Sequence, residues 1–300
     1  MTVPLAIAAP AAVAGLAYLN AKTALTNDLS LLGALTRGTI NLRIRERRDR
    51  VNIFYVLEGH AHARSTANHP FIVYEGREWT YKEVYDIVLK YGTWLKTTYN
   101  IAPKEIVAMD FMNCPQFAFI WLALWSIGAH PAFINYNLTD KPLLHCVRTS
   151  TARLLLVDNE VRSLFSKEVL DELASTSFRD GKGPVEVVFF TPEIESQILR
   201  TEGVREPDAT RSGAKGHMMA NLIYTSGTTG LPKPAIVSWS KVLLGGAFAS
   251  RWMGYKRKDR FYTVCEIGCN STGSLLTSVC SVCHCTTRPP HSSASAAPWE

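Results

Sequence analysis

The sequence predicts an α/β fold in which a parallel sheet is covered by helices on both faces. Three observations predict it. Strand-like and helix-like segments alternate through residues 71–190, the order of a parallel sheet with crossover helices. Thr80, with Glu83 three residues on, has the form of a capping box. It opens a stretch whose apolar Val84, Ile87, Val88, Tyr91 and Leu95 recur at helical spacing. The composition is 47% hydrophobic and 19% charged over 300 residues, which is core-forming and allows one large domain or two ordinary ones.

Residues 1–21 carry no charge, and "VPLAIAAPAAVAGLAYL" is apolar for about 17 residues, the lower limit of a membrane span. It is Ala-rich, contains Pro4 and Pro10, and has no positive start before Lys22, unlike a cleaved signal peptide. The basic "RIRERRDR" that follows from Arg43 would place the body on the cytoplasmic side of a membrane. Two readings stay open here. One is a buried or surface Ala-rich helix. The other is a membrane anchor or membrane-surface helix, helped by Arg near anionic headgroups.

From Val51 the pattern is globular. "VYEGREWT" reads as a short strand and a turn at Gly76, before the Thr80-capped helix. "EIVAMDF" is then a strand, "CPQFAFIWLALWSIG" an apolar helix, "AHPAFIN" a strand, "TDKPLLHCVRTS" a helix and "ARLLLVD" a strand. "VEVVFF" at 185–190 adds a strand, residues 200–217 read as a loop, and "NLIYT" rises as a strand. "AIVSW", after Pro234, reads as another.

Positive charge is concentrated in two places. Residues 37–50 carry six Arg against Glu46 and Asp49, and residues 251–260 carry five basic residues against Asp259. A nucleic-acid-binding protein spreads basic residues along a face or groove, so no nucleic-acid partner is expected. Cys114 and Cys146 sit alone in core-like segments, as buried thiols of a reduced intracellular protein do. The other five cysteines lie in residues 265–285.

Between the last two strands stands the segment "YTSGTTGLPK", Tyr224, Thr225, Ser226, Gly227, Thr228, Thr229, Gly230, Leu231, Pro232 and Lys233. Gly227 and Gly230 permit positive φ and close backbone approach. Successive turn-like residues point N–H groups into one anion-binding concavity. Four hydroxyls and the Lys233 ammonium complete the chemistry of a polyphosphate cradle. The spacing is not that of a Walker A loop, which needs four residues between Gly and Gly-Lys and a Ser or Thr after the Lys. A Ser/Thr/Gly-rich surface hairpin has the same composition; the order of residues separates the two.

That order resembles the phosphate-loop signature of the adenylate-forming superfamily, which includes acyl-CoA synthetases and luciferases. "PAIVSWSKV" and "FMNCPQFAFIWLALWSIGAHPAFINYNL" are similar to the fatty acid transport protein, or very long-chain acyl-CoA synthetase, branch and to its fungal members. The resemblance covers roughly residues 20–264. It implies the N-terminal part of the large domain of an adenylate-forming enzyme, with an N-terminal apolar helix. The implied organisation is a membrane-associating segment at 1–50, an AMP-binding portion at 51–264 and a divergent, disordered tail at 265–300. It also implies ATP-dependent activation of a long or very long-chain fatty acid, through an acyl-adenylate, to acyl-CoA. ATP, Mg²⁺ and CoA are the implied cofactors, with residues assignable here only to the ATP phosphates. No metal ligand is assigned. The implied location is the cytoplasmic face of a membrane, that of the endoplasmic reticulum, peroxisome, lipid droplet or plasma membrane.

In family members of roughly twice this length, an aromatic-Gly-Thr-Glu motif, a ribose-binding Asp and a C-terminal catalytic Lys lie further along the chain. None is found after Lys233, so a truncated chain without full activity is expected. The alternative is a catalytically inert, membrane-associated fragment that binds nucleotide or a partner. After "DRFYTV" the family pattern breaks at "CEIGCN", resumes in "STGSLL", and is lost again. An altered reading frame or retained intron followed by an early stop would give such a tail. A zinc half-site at Cys280, Cys283, His284 and Cys285, with Cys265 and Cys269, is the rival reading.

Overall fold

The computed structural model describes residues 5–179, 182–225, 230–252, 259–262 and 285–286. Two helices lead, α1 (Leu5–Thr23) and α2 (Leu25–Arg47), followed by α3 (Phe54–His62). A hairpin of β1 (Pro70–Tyr74) and β2 (Arg77–Thr80) turns at Glu75 and Gly76, both at positive φ. That is the geometry a two-residue hairpin turn demands. β10 (Cys285–Thr286) and β9 (Phe261–Tyr262) continue this small sheet in the order β2-β1-β10-β9.

Helix α4 (Tyr81–Tyr99) starts at the predicted capping box. Thr80 Oγ1 accepts from the Glu83 N–H at 3.2 Å, and Glu83 Oε2 accepts from the Thr80 N–H at 2.7 Å. Then come β3 (Ile106–Asp110), α5 (Pro115–Ser126), β4 (His130–Ile134), α6 (Asp140–Ser150), β5 (Leu154–Asp158), α7 (Lys167–Leu173), β6 (Glu186–Phe190) and α8 (Pro192–Arg200). The chain closes the main sheet with β7 (Met219–Thr225) and β8 (Lys233–Ser238), and α9 (Trp239–Trp252) follows.

The six strands lie in the order β6-β5-β3-β4-β7-β8. Their side chains alternate between two cores. Val107, Met109, Leu154, Leu156 and Ile223 face the layer of α4 and α5. Ala108, Leu155, Val157, Leu222 and Tyr224 face the layer of α6 and α7. Both faces are covered, so the central strands β3, β4, β5 and β7 bury nearly every residue, while the edge strands β6 and β8 do not. Helix α5 is apolar on every side because it is enclosed: Phe119, Ile120, Trp121, Leu122, Leu124 and Trp125 are all essentially inaccessible. Burial of each such side chain contributes on the order of 1.5–3 kcal/mol.

Two expectations need correcting. The sheet is not wholly parallel, because β8 runs antiparallel to β7 as the return of a hairpin. β8 also begins at Lys233 and includes Pro234, whereas Trp239 opens α9. Proline lacks a ladder donor, and it is tolerated here because β8 is the edge strand.

Helix α2 lies along α9, so close that a Cβ on Gly38 would stand 2.8 Å from Leu244. Its C-terminal end is tied to the loop at 200–217. Glu46 Oε1 accepts from the Gly216 N–H at 2.7 Å, Asp49 Oδ1 from the Gly213 N–H at 2.9 Å, and Arg50 pairs with Asp208 at 2.6 Å. The loop itself is anchored by buried Arg211, which donates to the Ser126 and Glu206 carbonyls and lies 4.6 Å over the Phe54 ring. Among the described residues, no helix is long and apolar enough to cross a membrane. On α1 the side chains of Val13, Leu16, Tyr18 and Leu19 are exposed. The tail cysteines lie outside the described residues, apart from the backbone of Cys285.

Candidate functional site

The parallel strands β6, β5, β3, β4 and β7 end at Phe190, Asp158, Asp110, Ile134 and Thr225, all on one edge of the sheet. In open α/β sheets this carboxyl edge is where ligands bind. The segment 225–233 leaves and returns there. Thr225 pairs with Lys233 across the hairpin, and the Thr225 hydroxyl reaches the Lys233 carbonyl at 3.4 Å.

Of the ten residues singled out in the sequence, Tyr224, Thr225, Gly230, Leu231, Pro232 and Lys233 are described. Ser226, Gly227, Thr228 and Thr229 lie outside the described residues. Gly230 has φ +84°, a dihedral that favours glycine, and among the described residues nothing stands within 4 Å of a Cβ built there. Leu231 and Lys233 are exposed. Lys233 makes no ion pair among the described residues, which leaves its ammonium available to an anion.

Tyr224 points the other way. Its ring is buried against α6, its hydroxyl donates to the Cys146 carbonyl at 2.5 Å, and it accepts from the Thr149 hydroxyl at 3.4 Å. Burial pushes this phenol well above the ordinary tyrosine range. The returning arm is held by the same helix, with His145 Nε2 3.1 Å from the Pro232 carbonyl oxygen. Sequence reasoning missed His145 and Thr149. No spacing in "TDKPLLHCVRTS" says that α6 lies beside the hairpin; only the strand order, with β4 next to β7, brings it there.

Acidic groups share this edge. Asp110 is buried at the end of β3, and burial together with the Asp110 charge pushes the Cys146 thiol up to about 12. Asp158 Oδ2 accepts from the Met112 N–H at 3.3 Å and lies 3.9 Å from Cys114 Sγ; burial and this carboxylate push that thiol to about 12 as well. Both thiols are therefore protonated at neutral pH and unsuited to nucleophilic work. Among the described residues, no group of three His, Cys, Asp or Glu side chains is placed to hold a metal ion. Among the described residues, the arrangement that remains is a hairpin that carries the Thr225 hydroxyl, Gly230 and the exposed Lys233, braced from behind by a helix.

The family described as AMP-binding enzyme matches residues 59–298, past the limit of 264 read from the sequence. A very long-chain fatty acid transport protein of Cochliobolus heterostrophus is 31% identical over 268 residues, covering 87% of this chain and 40% of that protein. The chain thus spans about two-fifths of that relative's length. A fatty acyl CoA synthetase of Mycobacterium tuberculosis superposes with a TM-score of 0.62 at 18% identity, over 79% of this chain and 44% of the other. An o-succinylbenzoate CoA synthetase of Bacillus subtilis, bound to its acyl-adenylate intermediate, gives 0.60 at 18%, over 79% and 56%. At those identities the likeness carries the fold alone.

Proposed function

The chain belongs to the AMP-binding enzyme family, and from that premise we propose that it serves the ATP-dependent activation of long or very long-chain fatty acids, through an acyl-adenylate, to acyl-CoA. In this reading Tyr224–Lys233 is the element that holds the ATP phosphates. The fatty-acid carboxylate attacks the α-phosphate, and pyrophosphate leaves with its charge growing. The Lys233 ammonium and the loop's N–H and hydroxyl groups offset that charge, from Thr225 through Ser226, Gly227, Thr228 and Thr229 to Gly230. Preorganised electrostatic stabilisation of this kind is usually the largest catalytic contribution. Tyr224 and Pro232 fix the two ends of the loop. Mg²⁺ would travel with the nucleotide and share the phosphate charge, and no ligand for it is assigned in this chain. CoA is the acceptor of the second step, and residues 1–50 provide association with a membrane.

One observation carries the reading: the hairpin opens at the carboxyl edge of the parallel strands, with an exposed Lys233, without an ion pair among the described residues, where it returns. The fungal relative's name supports the fatty-acid substrate. The test is ATP binding and fatty-acid-dependent ATP–pyrophosphate exchange by purified 1–300. Binding that Lys233→Ala weakens, together with exchange, supports the full proposal. Binding without exchange limits these residues to nucleotide binding. Absence of ATP binding by the folded chain sinks it.

A further inference from the structure

The C-terminal end of α2 and the start of α3 enclose a cleft of about 470 Å³. Asn41, Ile44, Arg45 and Arg48 line it from α2, a spacing that puts all four on one face of that helix. Tyr55 and Glu58, three residues apart on α3, line it from the other side. Arg45 follows Gly38 by seven residues and Ala34 by eleven, so it lies on the buried side of α2, recessed between the helices. The cleft is also remote from the 225–233 loop. Arg211 lies 5.2 Å from the Tyr55 ring centre and donates to the Ser126 carbonyl. Ser126 ends α5, and from there the chain enters β4 at the amino edge of the sheet, opposite the loop.

Two of the four charges in the wall are already matched. Arg50 pairs with Asp208 at 2.6 Å and lies 4.4 Å over the Tyr55 ring. Arg205 takes both oxygens of Glu58, with Nη2 3.1 Å from Oε2, and the Tyr85 hydroxyl donates to Glu58 at 3.0 Å. Arg45 and Arg48 make no ion pair among the described residues. Arg45 Nη1 reaches the Arg50 carbonyl at 3.4 Å, a weak contact for a guanidinium. Burial lowers the Arg45 pKa from the ordinary arginine value, as it does for a cation withdrawn from water. The Tyr55 hydroxyl is buried with no hydrogen-bond partner among the described residues. A buried polar group in that state is one that a bound water or ion satisfies.

We propose that this cleft is a binding site for a phosphate group, free or on a small soluble monoester, held by Arg45, Arg48 and the Tyr55 hydroxyl. The ligand is chosen by charge and shape. Two guanidiniums three residues apart leave a surplus of two positive charges, which is costly to keep half-buried without an anion. A carboxylate brings one negative charge. A phosphate monoester brings nearly two at neutral pH, with three acceptor oxygens, and the arginine fork matches them in pairs. Because Arg45 is recessed, the ligand must be small enough to enter, and the volume lies in the range of small-molecule sites. The site is separate from the one that holds the ATP phosphates in the proposed function, and the two can fail separately.

Equilibrium dialysis of purified 1–300 tests this, with labelled inorganic phosphate and with labelled glucose 6-phosphate, at an ionic strength held constant with chloride. The Lys233→Ala chain is the background, so that the 225–233 loop does not dominate the reading. Saturable binding is expected. Arg48→Ala removes an exposed side chain and should weaken that binding about tenfold or more, the worth of one hydrogen bond to a charged group. Tyr55→Phe keeps the ring beneath Arg50 and should weaken it by a similar factor. The thermal midpoint of Tyr55→Phe without phosphate should be no lower than that of its parent, since the lost hydroxyl had no partner. Tighter binding of glucose 6-phosphate than of inorganic phosphate supports a monoester as the ligand, and equal or weaker binding supports free phosphate. No saturable binding, or undiminished binding by either variant, overturns the proposal. Succinate that binds as tightly as phosphate, and is lost in Arg48→Ala, overturns the phosphate assignment in favour of a dicarboxylate.

Discussion

His145 Nε2 stands 3.1 Å from the carbonyl oxygen of Pro232, one residue along α6 from the Cys146 carbonyl that accepts the Tyr224 hydroxyl. One helix therefore braces both arms of the 225–233 loop. A carbonyl only accepts, so Nε2 is the donor in this contact. His145→Ala should weaken ATP binding about fivefold, the worth of one hydrogen bond. His145→Gln should recover part of it, since its amide also donates. Isothermal titration with ATP checks both variants, and a wild-type affinity in His145→Ala would show that the brace is not needed.

Tyr224→Phe keeps the ring in the α6 core and deletes the hydroxyl. The Cys146 carbonyl and Thr149 hydroxyl lose a buried partner. The expected loss is about 1–2 kcal/mol in a urea titration, with the slope unchanged. An unaltered midpoint would place the anchor elsewhere.

Lys233 stands at the opposite end of that relationship, exposed and, among the described residues, held only by its backbone in the β7–β8 ladder. Lys233→Ala should therefore leave the thermal midpoint within about a degree of wild type, as surface substitutions do. It should weaken ATP or pyrophosphate binding about 10–100-fold, the worth of one or two hydrogen bonds to a charged group. A loss of stability as large as the loss of binding would mark the residue as structural.

How much of this was legible in the sequence follows from the range of each interaction. The α4 start was readable because a capping box is local, Thr80 to Glu83. The alternation of β3 through β6 was readable because both faces are buried and each strand is a short apolar run. That two strands flank the 225–233 segment was readable because each is a short apolar run. The antiparallel course of β8 was not, since Pro234 suggests a break and only the edge position makes it acceptable. The α6 brace was not, since 87 residues separate His145 from Pro232. The pairing of Arg50 with Asp208 was not, because the sequence shows six arginines between 37 and 50 but not which of them Asp208 meets.

Alkaline pH should destabilise the fold in a defined direction. Burial raises the pKa of Cys114, Cys146 and Tyr85 to about 12, and it raises Tyr91 and Tyr224 further. Their ordinary values are about 8.5 for thiols and about 10 for phenols. Folded-state values above the unfolded ones mean that the unfolded chain releases protons first. The stabilisation is therefore complete below about pH 8 and is lost as pH rises from there toward about 12. Urea midpoints should fall steadily over that interval, and Cys146→Ala should remove part of the earliest fall. A flat profile would mean that these groups are less buried than described.

Gly128 turns the chain from α5 into β4 at φ +78°, and a Cβ there would stand 2.3 Å from the Thr210 carbonyl oxygen. Neither obstacle yields easily. The dihedral costs a non-glycine residue about 1–2 kcal/mol. The contact is with backbone, and the segment that carries Thr210 is itself pinned by buried Arg211. Gly128→Ala should therefore lose about 3 kcal/mol or more, seen as a fall of several degrees in the thermal midpoint. Gly183→Ala supplies the control, since Gly183 also has positive φ, +94°, but no described residue within 4 Å of a Cβ built there. It should lose only about 1–2 kcal/mol, from the dihedral alone. The difference between the two variants isolates the contact with Thr210. Equal losses would mean that the 205–216 segment shifts freely, and that Arg211 does not fix it against the end of α5.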